Sequence, residues 1–406
     1  MTDSLTLKLA ATIITRADKS RPADSVMREE LRKQHGLPRE AGRAVSQAVF
    51  GYYRWKKWLT AGEPLSDQII HALELADRFR REPDSFPDEE LRQKAVPTWI
   101  HAHCDITTEV ARAMQTPPVL WLRARTGRGP ELAERLSHCA LPGGGWLRDT
   151  LQYQGTQDLF RTEEFQAGAF ELQDLHSQAV GWLCDPKAGQ KWWDACAGEG
   201  GKLLHLSDLM ENKGLIWASD RSEWRLKLLR QRCARAGVFN YRAVEWLQND
   251  KPPTKTVFDG VLVDAPCSNV GTWHRNPHGR WTYNREDVIE LADLQLRLLL
   301  AAATAVKPGG KLVYSVCTLT REETLGVVAE FERRYPEFTP LVVNHPFLGD
   351  EPPAATHLLS PSPGGGNGMF VALWTRKVEA PVEKAAEVSE PLVASGRAAT
   401  PVSSPT

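Results

Sequence analysis

Trp192-Trp193-Asp194-Ala195-Cys196-Ala197-Gly198-Glu199-Gly200-Gly201-Lys202 is the stretch whose reading decides the fold. A short apolar strand over Lys191–Ala195 runs into a glycine-rich turn, and the turn opens a helix through Leu203–Met210. Glycines let a backbone approach a ligand closely, and a helix N-terminus presents free N–H groups at its positive dipole end. About twenty residues further on, Leu215-Ile216-Trp217-Ala218-Ser219-Asp220 reads as a second strand ending in a carboxylate. A carboxylate there accepts both hydroxyls of an adenosine ribose. The same Asp220 also fits the N-cap of a helix read over Arg221–Ala236.

Strands are expected outward from this pair at Tyr241–Trp246, Phe258–Ala265, Lys311–Thr318 and Met369–Arg376, with helices between most of them. That alternation predicts a doubly wound α/β core over residues 166–377. Residues 1–90 show helical periodicity through Leu5–Ile14, Ala41–Trp58 and Leu65–Phe79, and predict an all-helical domain. Basic residues dominate Arg21–Lys57, where Arg28, Arg32, Lys33, Arg39, Arg43, Arg54, Lys56 and Lys57 fit either an RNA-binding or a solvated face. The helix after Asp220 is likewise basic, with Arg221, Arg225, Lys227, Arg230, Arg232 and Arg235. Residues 91–165, broken by prolines and carrying a strand at Val119–Arg125, read as a small mixed connector. The Ala/Pro/Glu/Ser-rich segment 378–406 has too little bulky apolar content to pack and is expected to be disordered.

Composition is that of an ordinary globular chain, with 42% hydrophobic and 25% charged residues and a formal net charge of -1. Global charge therefore neither favours nor excludes nucleic acid. No apolar run of about 18 residues spans a bilayer and no secretory signal opens the chain, so a cytoplasmic monomer without membrane contact is expected. The seven cysteines form no C-x-x-C pair, which argues against a disulfide framework or a metal site. Each thiol is then packing or chemistry.

Two of them sit at strand ends. Phe258-Asp259-Gly260-Val261-Leu262-Val263-Asp264-Ala265-Pro266-Cys267-Ser268 delivers Asp264 and Cys267 to the C-terminal edge of one strand. Lys311-Leu312-Val313-Tyr314-Ser315-Val316-Cys317-Thr318 delivers Cys317 to the edge of another. Doubly wound sheets bind ligands at that edge, so both thiols are expected to converge on one crevice.

Together with Gln173-Asp174 and Ser177-Gln178, these motifs resemble the Sun/Fmu (RsmB-like) branch of the RNA cytosine-5 methyltransferases, over nearly the whole chain. The resemblance implies a Rossmann-like, S-adenosylmethionine-dependent methyltransferase core behind a NusB-like helical domain that binds RNA, with ribosomal RNA the default substrate. It implies Cys317 as nucleophile toward carbon 6 of cytosine, Cys267 as the thiol assisting product release, and Asp264 beside the ring. It places the methyl donor against Ala197, Gly198, Gly200, Gly201, Lys202, Asp220, Arg225 and Asp264. Two other readings remain open: a non-catalytic RNA-binding assembly factor, or a DNA cytosine-5 methyltransferase that uses Cys267 as its nucleophile.

Three positions depart from the family pattern: Gly198-Glu199 in the glycine-rich turn, the third strand, where Glu245 is the nearest acidic residue, and Asn367-Gly368-Met369-Phe370, which lacks the usual acidic charge. The loop from Gly271 to Tyr283 carries Trp273, His274, Arg275, His278, Arg280 and Trp281. Aromatic and guanidinium planes there suit a flipped base, and tryptophans that pin the loop to the core fit equally.

Overall fold

The computed structural model describes residues 3–34, 36–247 and 251–378. The chain opens with helices α1 (Ser4–Arg16), α2 (Ala23–Lys33), α3 (Arg39–Trp55), α4 (Leu65–Arg81), α5 (Asp88–Lys94) and α6 (Thr108–Gln115). Spacing of three to four along α3 turns Val45, Ala48, Val49 and Tyr53 onto Leu9, Ala10 and Ile13 of α1. A second cluster joins Trp55, Phe79, Phe86, Leu91, Ile100 and Met114 to Val270, Trp273 and Leu319. Helical packing thus continues to Met114, past the composition change at residue 90, because α5 and α6 bury their apolar faces in the same core.

Next come β1 (Leu120–Ala124), α7 (Gly129–Leu136), β2 (Cys139–Ala140), β3 (Thr150–Tyr153), α8 (Glu163–Gln166) and β4 (Phe170–Leu172). The four strands form an antiparallel sheet in the order β2-β3-β1-β4. Sequence periodicity marks β1 alone; the others are two to four residues long, too short to display an alternation.

The remaining elements are α9 (Leu175–Cys184), β5 (Lys191–Asp194), α10 (Gly201–Leu209), β6 (Leu215–Asp220), α11 (Glu223–Arg235) and β7 (Tyr241–Glu245). They continue with β8 (Phe258–Asp264), α12 (Arg285–Ala303), β9 (Val306–Val316), α13 (Val327–Arg334), β10 (Phe338–Pro340), β11 (Thr356–Leu359) and β12 (Met369–Arg376). In the sheet β7-β6-β5-β8-β9 run parallel, β12 joins β9 antiparallel, and β10 and β11 pair with β12. Because both faces are covered, the central strands are mainly apolar, whereas the edge strand β7 carries Arg242 and Glu245. Trp192, Ile216, Leu262 and Val313 pack on one side, while Trp193, Val261, Val263, Leu312 and Tyr314 pack on the other.

Strand order reverses at β5, whose neighbours β6 and β8 lead away in opposite directions. Such a switch point opens a crevice beyond the strands' carboxyl ends. The last parallel strand starts earlier than expected, at Val306 rather than Lys311, and stops at Val316. Val306 pairs with Phe258 before a register shift, so Lys307-Pro308-Gly309-Gly310 is carried within the strand. The segment expected to be disordered lies, from residue 379 onward, outside the described residues. No helix among the described residues is long and apolar enough to cross a membrane.

Candidate active site

The turn after β5 is built by backbone. Gly200 has φ +87° and precedes α10; a Cβ on it would come within 2.9 Å of Leu229, so glycine is required on both counts. The Ala197 amide donates to the Ser219 carbonyl at 2.8 Å and the Gly198 amide to Asp220 Oδ2 at 3.0 Å. Asp220 Oδ1 accepts the Ser222 amide at 2.8 Å, while Ser222 itself occupies the N-cap position of α11. Asp220 therefore braces the turn and still has lone pairs to offer.

A cavity of about 450 Å³ opens above this turn. Of the residues expected to hold a donor, Ala197, Gly198, Asp220, Arg225 and Asp264 line it. Gly200, Gly201 and Lys202 do not: Gly200 caps α10, Gly201 starts it, and Lys202 is buried behind Asp264. Trp246 lines the cavity in place of its neighbour Glu245; Arg221 and Pro266, both in segments read from the sequence, line it too, and Leu294 and Leu298 complete a wall that the sequence did not mark. The two leucines belong to α12, which carries no local motif.

Beneath the cavity lies a charge cluster. Lys202 Nζ donates to Asp264 Oδ2 at 2.6 Å, and Ser315 Oγ donates to Asp264 Oδ1 at 2.7 Å. Burial opposes the Lys202 ammonium, but the Asp264 carboxylate outweighs it and holds the pKa above the ordinary lysine value. Asp194 is 1% exposed and neither of its oxygens has a hydrogen-bond partner. Burial, reinforced by the Asp264 charge, pushes its pKa up to about 8.

Asp264 and Ser315 face each other in register at the ends of β8 and β9, so the chain segments that follow carry both thiols to one place. Cys267 Sγ and Cys317 Sγ lie 3.3 Å apart. Cys317 is partly exposed, whereas Cys267 is buried. The hydrogen bond with Cys317 and burial together push the Cys267 thiol well above its ordinary pKa. Asn269, in the left-handed region at φ +59°, accepts from Cys317 Sγ at 3.2 Å through Oδ1. Its Nδ2 donates to the Cys267 carbonyl at 2.8 Å and to the Tyr283 hydroxyl at 3.2 Å.

Sequence reasoning missed a further carboxylate. Glu323, fully buried, accepts from the Ser268 amide, Gln295 Nε2, Thr318 Oγ1 and Thr320 Oγ1 at 2.7–3.1 Å, and from Ser268 Oγ. Ser268 follows Cys267 and Thr318 follows Cys317, so one carboxylate holds the residue beside each thiol, through backbone and hydroxyl at Ser268 and through the hydroxyl at Thr318. A signal was present in the hydroxyl residue that follows each cysteine. Gly271 and Gly368 pack backbone to backbone: the Gly271 amide donates to the Cys317 carbonyl at 3.0 Å and the Gly368 amide to the Gly271 carbonyl at 2.7 Å.

The loop from Gly271 to Tyr283 clamps the helical unit to the sheet. Trp273 and Arg280 are fully buried; Arg280 donates to the carbonyls of Arg54, Ala95 and Met114, and Trp281 Nε1 to the Tyr53 carbonyl. These side chains are spent on packing, and Arg275 is the exposed cation of the loop. Much of the basic stretch of the helical unit is engaged as well: Arg39 pairs with Asp158, Arg43 bonds the Thr156 carbonyl, and Arg54 donates to the His274 carbonyl. On α11, Arg232 and Arg235 hold the buried Glu171 of the connector sheet, whereas Arg225 and, just before the helix, Arg221 line the cavity.

A parallel sheet with this strand order, an antiparallel strand beside its last parallel one and a cavity at its switch point make up a Rossmann-like fold of the methyltransferase type. Residues 181–375 match the family described as 16S rRNA methyltransferase RsmB/F. It is 33% identical over 254 residues to the probable ribosomal RNA small subunit methyltransferase B of Bacillus subtilis, covering 60% of this chain and 56% of that one. It is also 33% identical over 306 residues to the human 28S rRNA (cytosine(4447)-C(5))-methyltransferase, covering 73% of this chain and 34% of that one. The matches thus span about half of the bacterial relative and a third of the human one. The crystal structure of PH0851 superposes with a TM-score of 0.73 at 24% identity, covering 91% of this chain and 97% of that one, and so shares the fold.

Proposed function

We propose that the chain transfers a methyl group from S-adenosylmethionine to carbon 5 of cytosine in RNA, with ribosomal RNA as the substrate class. The observation that carries this reading is the 3.3 Å contact between Cys267 and Cys317 at the ends of adjacent parallel strands. Relatives named as RNA cytosine-5 methyltransferases support it.

The cavity suits the donor. Asp220 stands at the end of β6, where ribose hydroxyls are accepted, and the Asp264 carboxylate lines the same cavity. Ala197, Gly198, Asp220, Arg225 and Asp264 would hold it at the cavity wall, with Gly200, Gly201 and Lys202 shaping the turn beneath. When bound, S-adenosylmethionine supplies an electrophilic methyl group.

Cytosine carbon 5 is a poor nucleophile until a thiolate adds at carbon 6. Cys317 is the thiol for that addition, being the partly exposed member of the pair. Cys267 sits behind it with its proton held by burial and by the Cys317 contact, which suits a thiol that exchanges a proton late in the reaction. Sulfur adds to carbon 6 and makes carbon 5 electron-rich. Once carbon 5 carries the methyl group, its proton passes to water, the carbon 6–sulfur bond breaks with its electron pair returning to Cys317, and aromaticity returns. Asp264, held by Lys202 and Ser315, would accept a hydrogen bond from the ring nitrogen once that nitrogen carries a proton. The helical unit, docked by the Arg280 clamp beside these strand ends, is read as RNA-binding surface.

The burial of Cys267 disfavours the DNA-type alternative, in which that thiol would attack. Labelled donor incubated with a small-subunit rRNA transcript and with duplex DNA tests the proposal. Label recovered as 5-methylcytidine supports it; label in DNA alone, or donor binding without transfer to either, overturns it.

A further inference from the structure

A small cavity of about 190 Å³ lies where four segments meet: Trp121 of β1, Gln173 and Asp174 before α9, His274 of the clamp loop, and Asn367 before β12. It shares no residue with the donor cavity. Two of its walls are unusual. His274 and Asn367 are 6% and 5% exposed, and His274 Nδ1 and Asn367 Oδ1 each lack a hydrogen-bond partner. A buried polar atom left unpaired costs about 1–3 kcal/mol, so two lining one cavity point to a ligand that supplies the complement.

The backbone ties this cavity to the thiols. Asn367 directly precedes Gly368, whose amide binds the Gly271 carbonyl, and the Gly271 amide binds the Cys317 carbonyl. His274 lies three residues beyond Gly271 on the same loop.

Its chemistry is neutral inside and cationic at the rim. Both Asp174 oxygens accept the Asn367 amide, and Oδ1 also accepts the His176 amide, so this carboxylate is already engaged. Burial, with Arg280, Arg275 and Arg54 nearby, holds the His274 imidazole down at about 3, which keeps it uncharged. A carboxamide and a neutral imidazole present donor and acceptor atoms side by side, as the edge of a nucleobase demands, while the exposed Arg275 suits its phosphate. Metal ions and small anions fit poorly, since the interior offers neither free carboxylates nor cations.

Pro118 and Arg275 also line an adjoining groove of about 780 Å³ along α3 and α4. Gln115 in that groove is 2% exposed, with neither amide atom partnered. An extended strand leaving the small cavity would therefore meet another unsatisfied amide.

Resting on the RNA reading above, we infer that the cavity of His274 and Asn367 takes up one unstacked base of the RNA strand, next to the target cytosine, and gives the enzyme a base preference there.

Selection from short random single-stranded RNAs with one fixed cytosine, on the full-length chain with S-adenosylmethionine present, tests this. Wild type should enrich one base at a position flanking the cytosine. His274→Leu and Asn367→Leu should lose that preference and bind the enriched RNA about tenfold more weakly, with donor affinity unchanged. His274→Gln and Asn367→Ser, which keep polar groups, serve where the leucine variants fail to fold, and should shift the preference. Retention of wild-type preference and affinity by folded variants overturns the cavity assignment and leaves the RNA reading standing. Wild type that binds donor but no RNA overturns the RNA reading, and this inference with it.

Discussion

The carboxylate of Glu323 accepts the backbone amide of Ser268 at 2.8 Å across 55 residues of sequence. That bond, with those from Thr318, Thr320, Gln295 and the Ser268 hydroxyl, makes Glu323 the shared anchor of the two thiol-bearing segments. Glu323→Gln removes the charge; its oxygen can keep the Ser268 amide and Gln295 Nε2, which share Oε1, but its NH2 then meets the hydroxyls of Ser268, Thr318 and Thr320 at the Oε2 position and forces them to reverse. It should cost about 3 kcal/mol of stability and slow single-turnover methyl transfer at least about tenfold, with donor affinity unchanged. Loss of stability with a normal single-turnover rate would reduce Glu323 to a packing role.

Asp220 contributes twice, bracing the glycine turn through Gly198 and Ser222 and facing the cavity. Asp220→Ala should weaken S-adenosylmethionine binding about 10- to 100-fold, the scale of one or two charge-assisted hydrogen bonds. Calorimetry on the folded variant decides it, and unchanged affinity would move the ribose to another residue.

Asp194 supplies a pH signature. Its pKa rises from the ordinary 3.8 to about 8 in the folded chain, so between those values the unfolded chain releases a proton that the native one keeps. Stability from this group is fully present below about pH 4, falls as pH rises and levels off above about pH 8. Asp194→Asn cannot ionise. Without added donor, its stability relative to wild type should therefore improve from pH 5 to pH 8, by a few kcal/mol at most, and then stay flat. Parallel stability profiles for the two proteins would show that Asp194 is already ionised in the native state.

What the sequence disclosed follows from the range of each interaction. Strands β6 and β12 fall where periodicity put them, at Leu215–Asp220 and Met369–Arg376, because a strand buried on both faces is written in consecutive apolar residues. The convergence of Cys267 and Cys317 was legible because parallel neighbours end at one edge. Arg280 was not: its partners Arg54, Ala95 and Met114 are backbone carbonyls, and carbonyls carry no sequence signature. Glu323 in Thr320-Arg321-Glu322-Glu323 reads as solvated surface until the fold brings Ser268 and Gln295 to it.

The two thiols should separate cleanly under mutation, and the geometry sets the direction. Cys317 is the exposed member, bonded to Asn269 Oδ1, and Cys267 lies behind it in contact with the same sulfur. On the proposed mechanism Cys317→Ala removes the group that activates cytosine, so methylation should vanish and no covalent adduct should form, while donor affinity persists. Cys267→Ala leaves the attack possible but removes the neighbouring proton-exchanging thiol, so the adduct should form and fail to collapse. A denaturing gel of Cys267→Ala with RNA and donor should then show a shifted band that nuclease removes. Trapping by Cys317→Ala instead would reverse the roles and make Cys267 the nucleophile. Full activity in both variants would leave the 3.3 Å contact a matter of packing and sink the covalent mechanism.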